Sequence, residues 1–89
     1  MIEIIWDEPL IRTLKKWKRK HPELISRLED RLSLFVENPF NPLLKTHNLS
    51  GNLKEYWALS ITYEYRLVFK FLSEDKALLI DIGTHDEFY

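Results

Sequence analysis

The 89-residue chain has no cysteine. That removes a disulfide framework, a thiolate metal site and a cysteine nucleophile, and leaves packing alone to hold the core. There is no His-Glu-x-x-His spacing and no carboxylate cluster, and the three histidines are scattered, so neither a metal nor another cofactor is expected. Linkers, internal repeats and low-complexity stretches are missing. No apolar run approaches the length of a membrane span, and Met1-Ile2-Glu3-Ile4-Ile5-Trp6 carries an acid where a secretory leader would be basic. These absences lead to the expectation of a cytoplasmic protein, away from membranes, with one domain over residues 1–89. Net charge is also small, with 13 basic side chains against 14 acidic ones.

What is present is 45% hydrophobic and 13% aromatic residues, enough for one compact core. The stretch Tyr65-Arg66-Leu67-Val68-Phe69-Lys70-Phe71 alternates with period two, which sends Leu67, Phe69 and Phe71 to one side and Arg66, Val68 and Lys70 to the other. Apolar sets with the same period flank it, Trp57-Leu59-Ile61 before and Leu78-Ile80-Ile82 after. The pattern predicts a sheet with one dry face and one open face.

In chain order, Ile2–Trp6 reads as a short strand. Asp7 offers an N-cap, and Glu8 and Pro9 suit a first turn, so a helix is expected to about Lys20 with Leu10, Leu14 and Trp17 as its apolar stripe. His21-Pro22 breaks it. A second helix begins near Pro22 and Glu23, carries Leu28, Leu32 and Phe35 inward, and stops at Asn38-Pro39. The turn between them is short, so the two helices form an antiparallel hairpin. Phe40 to Leu53 reads as loop, and strands follow at about Lys54–Ile61, Tyr65–Phe71 and Ala77–Gly83. The predicted fold class is α+β: a strand, a helical hairpin, then a three-stranded antiparallel meander, with both helices on one face of the sheet.

Six of the 13 basic residues, Arg12, Lys15, Lys16, Lys18, Arg19 and Lys20, fall on the first helix with no acid among them. The run reads either as a solvated helix face or as a footing for nucleic-acid phosphates, through Lys15, Lys16, Lys18 and Arg19. Alternation places Tyr56, Ala58, Ser60 and Thr62, then Arg66, Val68 and Lys70, then Leu79, Asp81, Gly83 and His85 on the open face. The long loop adds Lys45 and His47, and Lys54 follows it. A guanidinium, two imidazoles and lysines on one face suit metal-free cleavage of RNA. There the 2′-hydroxyl loses a proton, the leaving 5′-oxygen gains one, and a fixed cation meets the charge on phosphate. The plainer reading, a strand arginine in an ion pair and surface histidines, stays open. His21, in the helix turn, is assigned no function.

The segments His47-Asn48-Leu49-Ser50-Gly51, Tyr65-Arg66-Leu67-Val68-Phe69 and Gly83-Thr84-His85-Asp86-Glu87-Phe88-Tyr89 resemble the bacterial RelE/ParE toxin superfamily, in its RelE, YoeB and YafQ branches. The resemblance runs the length of the chain. It implies a RelE-like fold and the toxin of a type II toxin–antitoxin pair, cutting messenger RNA in the ribosomal A site by attack of the 2′-hydroxyl. By the same resemblance His47 and His85 match YafQ histidines of proton transfer, Arg66 matches the RelE and YoeB arginine on the scissile phosphate, Glu64 falls at a YafQ aspartate, and Tyr89 falls at a terminal phenylalanine that meets substrate. Ser60 departs from the pattern, standing where YafQ has a third histidine. Either Ser60 serves only to bind, beside Lys45 and Lys54, or the acid–base pair must be His47 and His85. Partners implied are an antitoxin, in a toxin–antitoxin hetero-oligomer, together with ribosome and message. The other reading is a ParE-like inhibitor of DNA gyrase, or a non-catalytic interaction module on the same fold.

Overall fold

The computed structural model describes residues 1–51 and 54–84. Strand β1 (Glu3–Ile5) leads into helix α1 (Glu8–Lys20), whose start is fixed by Asp7. Its Oδ1 accepts the Leu10 N–H at 2.9 Å, satisfying one of the donors that a helix start leaves without a partner. His21 ends α1, and a single 3₁₀ turn, Pro22–Leu24, reverses the chain into α2 (Ile25–Glu37). A second 3₁₀ turn, Pro42–Leu44, precedes β2 (His47–Asn48). Then come β3 (Trp57–Ser60), β4 (Tyr65–Ser73) and β5 (Lys76–Thr84).

The five strands form one sheet in the order β1-β5-β4-β3-β2. β3, β4 and β5 make the expected antiparallel meander, and β1 closes the other side as a parallel neighbour of β5, with Ile4 opposite Ala77. The fifth strand, β2, was read as loop from sequence. It pairs antiparallel with β3, setting His47 opposite Ala58 and Asn48 opposite Trp57. Two residues are too few to carry a period, so only the side-chain and backbone bonds reveal it: Asn48 Nδ2 donates to the carbonyls of Lys54 at 2.8 Å and Tyr56 at 3.0 Å.

Both helices lie on one face. Leu10, Leu14 and Trp17 of α1 and Leu28 and Phe35 of α2 share a core with Leu59, Ile61, Leu67, Phe69, Ala77, Leu79 and Ile82 of the sheet. Phe35 meets Phe69 edge to face at 4.8 Å between ring centres, both rings fully buried. Phe40, from the loop, covers Trp57 and Phe71 at 5.6 and 6.0 Å. Such aromatic geometry adds a directional term to the burial itself.

One face assignment is corrected. Leu79 was expected on the open face, with Leu78, Ile80 and Ile82 in the core. The structure buries Leu79 completely among the helices, while Ile80 packs on the opposite side with Leu49, Ala58 and Val68. The cause is a β-bulge. Val68 pairs with Asp81 but Phe69 pairs with Leu79, so Ile80 is an extra residue and alternation changes phase there. Beyond the bulge Asp81 and Gly83 are back on the open face, opposite Val68 and Arg66. That face is also drier than expected: Leu49, Ala58 and Val68 are buried beside Tyr56 and Ile80.

Candidate functional site

Strand register arranges the open face in rows. Ser60, Arg66 and Gly83 are direct cross-strand neighbours and form one row. The next row along the strands is His47, Ala58, Val68 and Asp81. His47 and Arg66 are therefore two strands and one pleat repeat apart, roughly 10 Å by 7 Å between backbones, a span over which two long side chains reach one nucleotide. Ala58 and Val68 are the apolar floor between them.

Arg66 is engaged where it stands. Its Nη1 donates to the carbonyls of Thr62 and Tyr63, each at 2.9 Å, and more loosely to that of Tyr65 at 3.5 Å. The β3–β4 turn is built around these bonds: Thr62 Oγ1 accepts the N–H groups of Glu64 and Tyr65, and the Thr62 carbonyl also accepts the Ser60 hydroxyl at 3.0 Å. Arg66 is thus a clamp on the turn as well as a cation facing the row. Ser60 is buried, with its hydroxyl turned to that carbonyl. Glu64 is exposed at the turn.

His47 is oriented by its own loop. Lys45 takes the left-handed conformation, φ 51°, the only non-glycine residue with positive φ among those described. This bend aims its carbonyl back, and His47 Nδ1–H donates to it at 3.0 Å. With the proton on Nδ1, the neutral ring keeps its basic lone pair on Nε2. Gly51, φ 68°, makes the second left-handed bend just after β2. Lys45, before β2, and Lys54, between β2 and β3, are both exposed. His85 and Tyr89 lie outside the described residues.

The basic run of α1 divides. At about 100° per residue, Lys16 and Lys20 fall on the flank of Thr13, Lys15 and Lys18 fall on the opposite flank with Ile11, and Arg12 and Arg19 point away from the core stripe. Lys15, Lys16, Lys18 and Arg19 do not form one face. Among the described residues no group of three or more His, Cys, Asp or Glu side chains is placed to hold a metal ion, and no helix is long and apolar enough to cross a membrane.

Three further residues were absent from the candidate set, Asp81 and Tyr63 by the rows and His21 on the helix side. Asp81 stands at the end of the His47 row, its Oδ1 accepting the Ile82 N–H at 2.8 Å. Alternation had placed it on this face, so the signal was there. Tyr63, 92% exposed at the turn held by Arg66, offers an aromatic ring to solvent. His21 is no bystander in its turn: its Nε2 shares a 3.2 Å hydrogen bond with the Tyr65 hydroxyl, and its ring packs on Trp17 and Tyr65 at 5.1 and 4.7 Å. Nothing in the sequence links residues so far apart.

No protein-family model and no curated protein matches the sequence. Solved structures do match. The chain superposes on the YoeB/ParE toxin from Agrobacterium tumefaciens with a TM-score of 0.74, at 24% identity, over 94% of this chain and 99% of that one. It superposes on YafQ from E. coli strain BL21(DE3) with a TM-score of 0.77, at 19% identity, over 100% and 99%. A heterotetrameric YoeB–YefM toxin–antitoxin complex from Staphylococcus aureus matches at 0.73, with 17% identity over 96% and 98%. The fold, two helices on a five-stranded mixed sheet, is that of the RelE/ParE-like toxins, as the sequence resemblance implied.

Proposed function

We propose that this chain is the toxin of a type II toxin–antitoxin pair and acts as a metal-independent endoribonuclease on messenger RNA at the ribosome. The observation that carries the reading is the pair of rows on the open face, with His47 held by β2 and Arg66 one row on, over an apolar floor. In the proposed reaction His47 Nε2 takes the proton of the 2′-hydroxyl, the 2′-oxygen bonds to phosphorus, and the bond from phosphorus to the 5′-oxygen breaks. His85 supplies the proton that the departing 5′-oxygen needs, and the products are a 2′,3′-cyclic phosphate and a 5′-hydroxyl. Arg66 offers its fork to the non-bridging oxygens, where charge builds in the transition state. Lys45, Lys54 and Ser60 would border the substrate, Glu64 would sit at the turn beside it, and Tyr89 would stack on a base.

Partner and location follow from the same reading. The similar YoeB–YefM structure is a toxin–antitoxin complex, which supports a cognate antitoxin here and a hetero-oligomer as the resting form. The proposed place of action is the cytoplasm, where ribosomes carry message. Primer extension on a translated message, after brief induction without antitoxin, tests the proposal. Cuts within codons that vanish with His47→Gln support it. Intact message together with DNA-damage signalling would favour the gyrase inhibitor instead.

A further inference from the structure

The sheet has a concavity on its helix side, which reaches the Arg66 row only at Gly83. A cavity of about 290 Å³ opens between the end of α1 and the ends of β4 and β5, lined among others by Lys16, Trp17, Lys20, His21, Tyr65 and Thr84. Three rings form its wall: Trp17 meets Tyr65 edge to face at 5.5 Å, and His21 packs on both. The rings are locked in place. Tyr65 Oη and His21 Nε2 share their 3.2 Å bond, in which the phenol donates when the ring proton sits on Nδ1, 3.8 Å from Glu23 Oε1. Lys16 and Lys20, one helical turn apart and both exposed, stand on the rim. One group is left without a match: Trp17 Nε1, buried, has no acceptor among the described residues. A native protein rarely leaves such a donor unpaired, since burial takes away its hydrogen bond to water without a replacement.

We propose that this cavity binds one nucleotide unit, its base against the Trp17, His21 and Tyr65 wall and its phosphate on Lys16 and Lys20. The size, just below the roughly 300–1,000 Å³ range of ligand sites, suits one base rather than a larger molecule. Aromatic walls accept any base through its π face, and two ammonium groups on one helix flank suit a phosphate. The basic run of α1 then has two uses, since only its Lys16 and Lys20 flank borders the cavity. The unit is either a free nucleotide or one residue of an RNA strand. The cavity's own geometry carries the proposal, and the RNA-directed reading above enters only in choosing between these sources.

The test is a titration of ¹⁵N-labelled protein with adenosine 5′-monophosphate, inorganic phosphate and a five-nucleotide oligoadenylate, following the Trp17 indole N–H, with those of Trp6 and Trp57 as internal controls. The nucleotide should move the Trp17 signal at lower concentration than phosphate does. Lys16→Gln with Lys20→Gln should weaken it on the order of tenfold or more, the loss of about one charge-assisted contact. Both lysines are exposed, so the variant keeps its fold. Tighter binding of the oligonucleotide than of the monophosphate assigns the site to an RNA strand; equal binding assigns it to a free nucleotide. An unmoved Trp17 signal, equal responses to nucleotide and phosphate, or binding indifferent to both lysines would each overturn the proposal. Arg66→Gln separates the two sites: it should abolish cleavage and leave the Trp17 response intact, and the response stands even if the chain proves to cleave nothing.

Discussion

Arg66→Ala removes, in one step, the cation of the open face and the clamp on the β3–β4 turn. The folding cost comes from two bonds at 2.9 Å to the carbonyls of Thr62 and Tyr63. A hydrogen bond to a charged group contributes about 1.5–3 kcal/mol when buried, and the turn is half open to water that can replace it, so a total loss of about 1–2 kcal/mol is expected. At about 4–8 °C per kcal/mol for a domain of this size, the melting temperature should fall by roughly 5–15 °C. If the parent is stable by about 5 kcal/mol or more, then over about 99% of the variant stays folded at room temperature. Unfolding therefore cannot account for more than a trivial loss of activity. Loss of transition-state charge stabilisation, by contrast, should slow cleavage by about a hundredfold to a thousandfold. Thermal melts and single-turnover cleavage of ribosome-bound message, at matched protein concentration, separate the two effects. Arg66→Lys should fall between, because it keeps the charge without the planar fork. A variant that melts early yet cleaves within twofold of the parent would reduce Arg66 to a structural clamp and sink the mechanism.

His47→Gln should cost about 10²- to 10⁴-fold in cleavage at nearly unchanged melting temperature, and His85→Gln a similar factor; growth arrest of full strength from either variant, at equal protein level, contradicts the acid–base pair. Tyr63→Ala should leave stability within about 0.5 kcal/mol and weaken RNA binding if the ring stacks on a base, which a filter-binding titration reads directly. Asp81→Asn keeps an acceptor for the Ile82 N–H and removes a negative charge from the row, so RNA should bind several-fold tighter at low salt, with the gain fading as salt rises; unchanged affinity would place the carboxylate outside the substrate path. Lys45→Gly should raise the melting temperature by a few degrees, since glycine relieves a left-handed residue of about 1 kcal/mol, and a fall would contradict the φ of 51°.

The meander and the helix stripes were legible because each repeats its period several times: Leu67, Phe69 and Phe71 alternate without interruption, and Leu10, Leu14 and Trp17 keep one helical face. β5 was legible only beyond its bulge. Ala77 to Ile80 is unbroken apolar sequence, so no polar residue marks where the phase changes, and Leu79 was sent to the wrong face. The open-face list survived at Ser60, Arg66, Asp81 and Gly83 because the bulge precedes the last two. His47 was found by its chemistry, not by its element, since β2 is shorter than any pattern. What sequence could not give were bonds made by folding: Arg66 on the turn carbonyls, Lys45 bending back to His47, and His21 with Tyr65 across 44 positions.

The edge position of β1 bears on how the chain is made. Among the described residues its strand partner is β5, with Glu3 facing Lys76, so β1 is joined to the sheet through the strand described last in the chain. During vectorial synthesis β1 and both helices emerge with no sheet to pack on, and the row of His47 stays incomplete until Asp81 has been added. Long-range closure of this kind slows folding relative to local contacts, and it makes the ordered state an all-or-none outcome of nearly the whole chain. A nascent fragment therefore has no assembled open face. Whatever activity that face carries is withheld during elongation by topology.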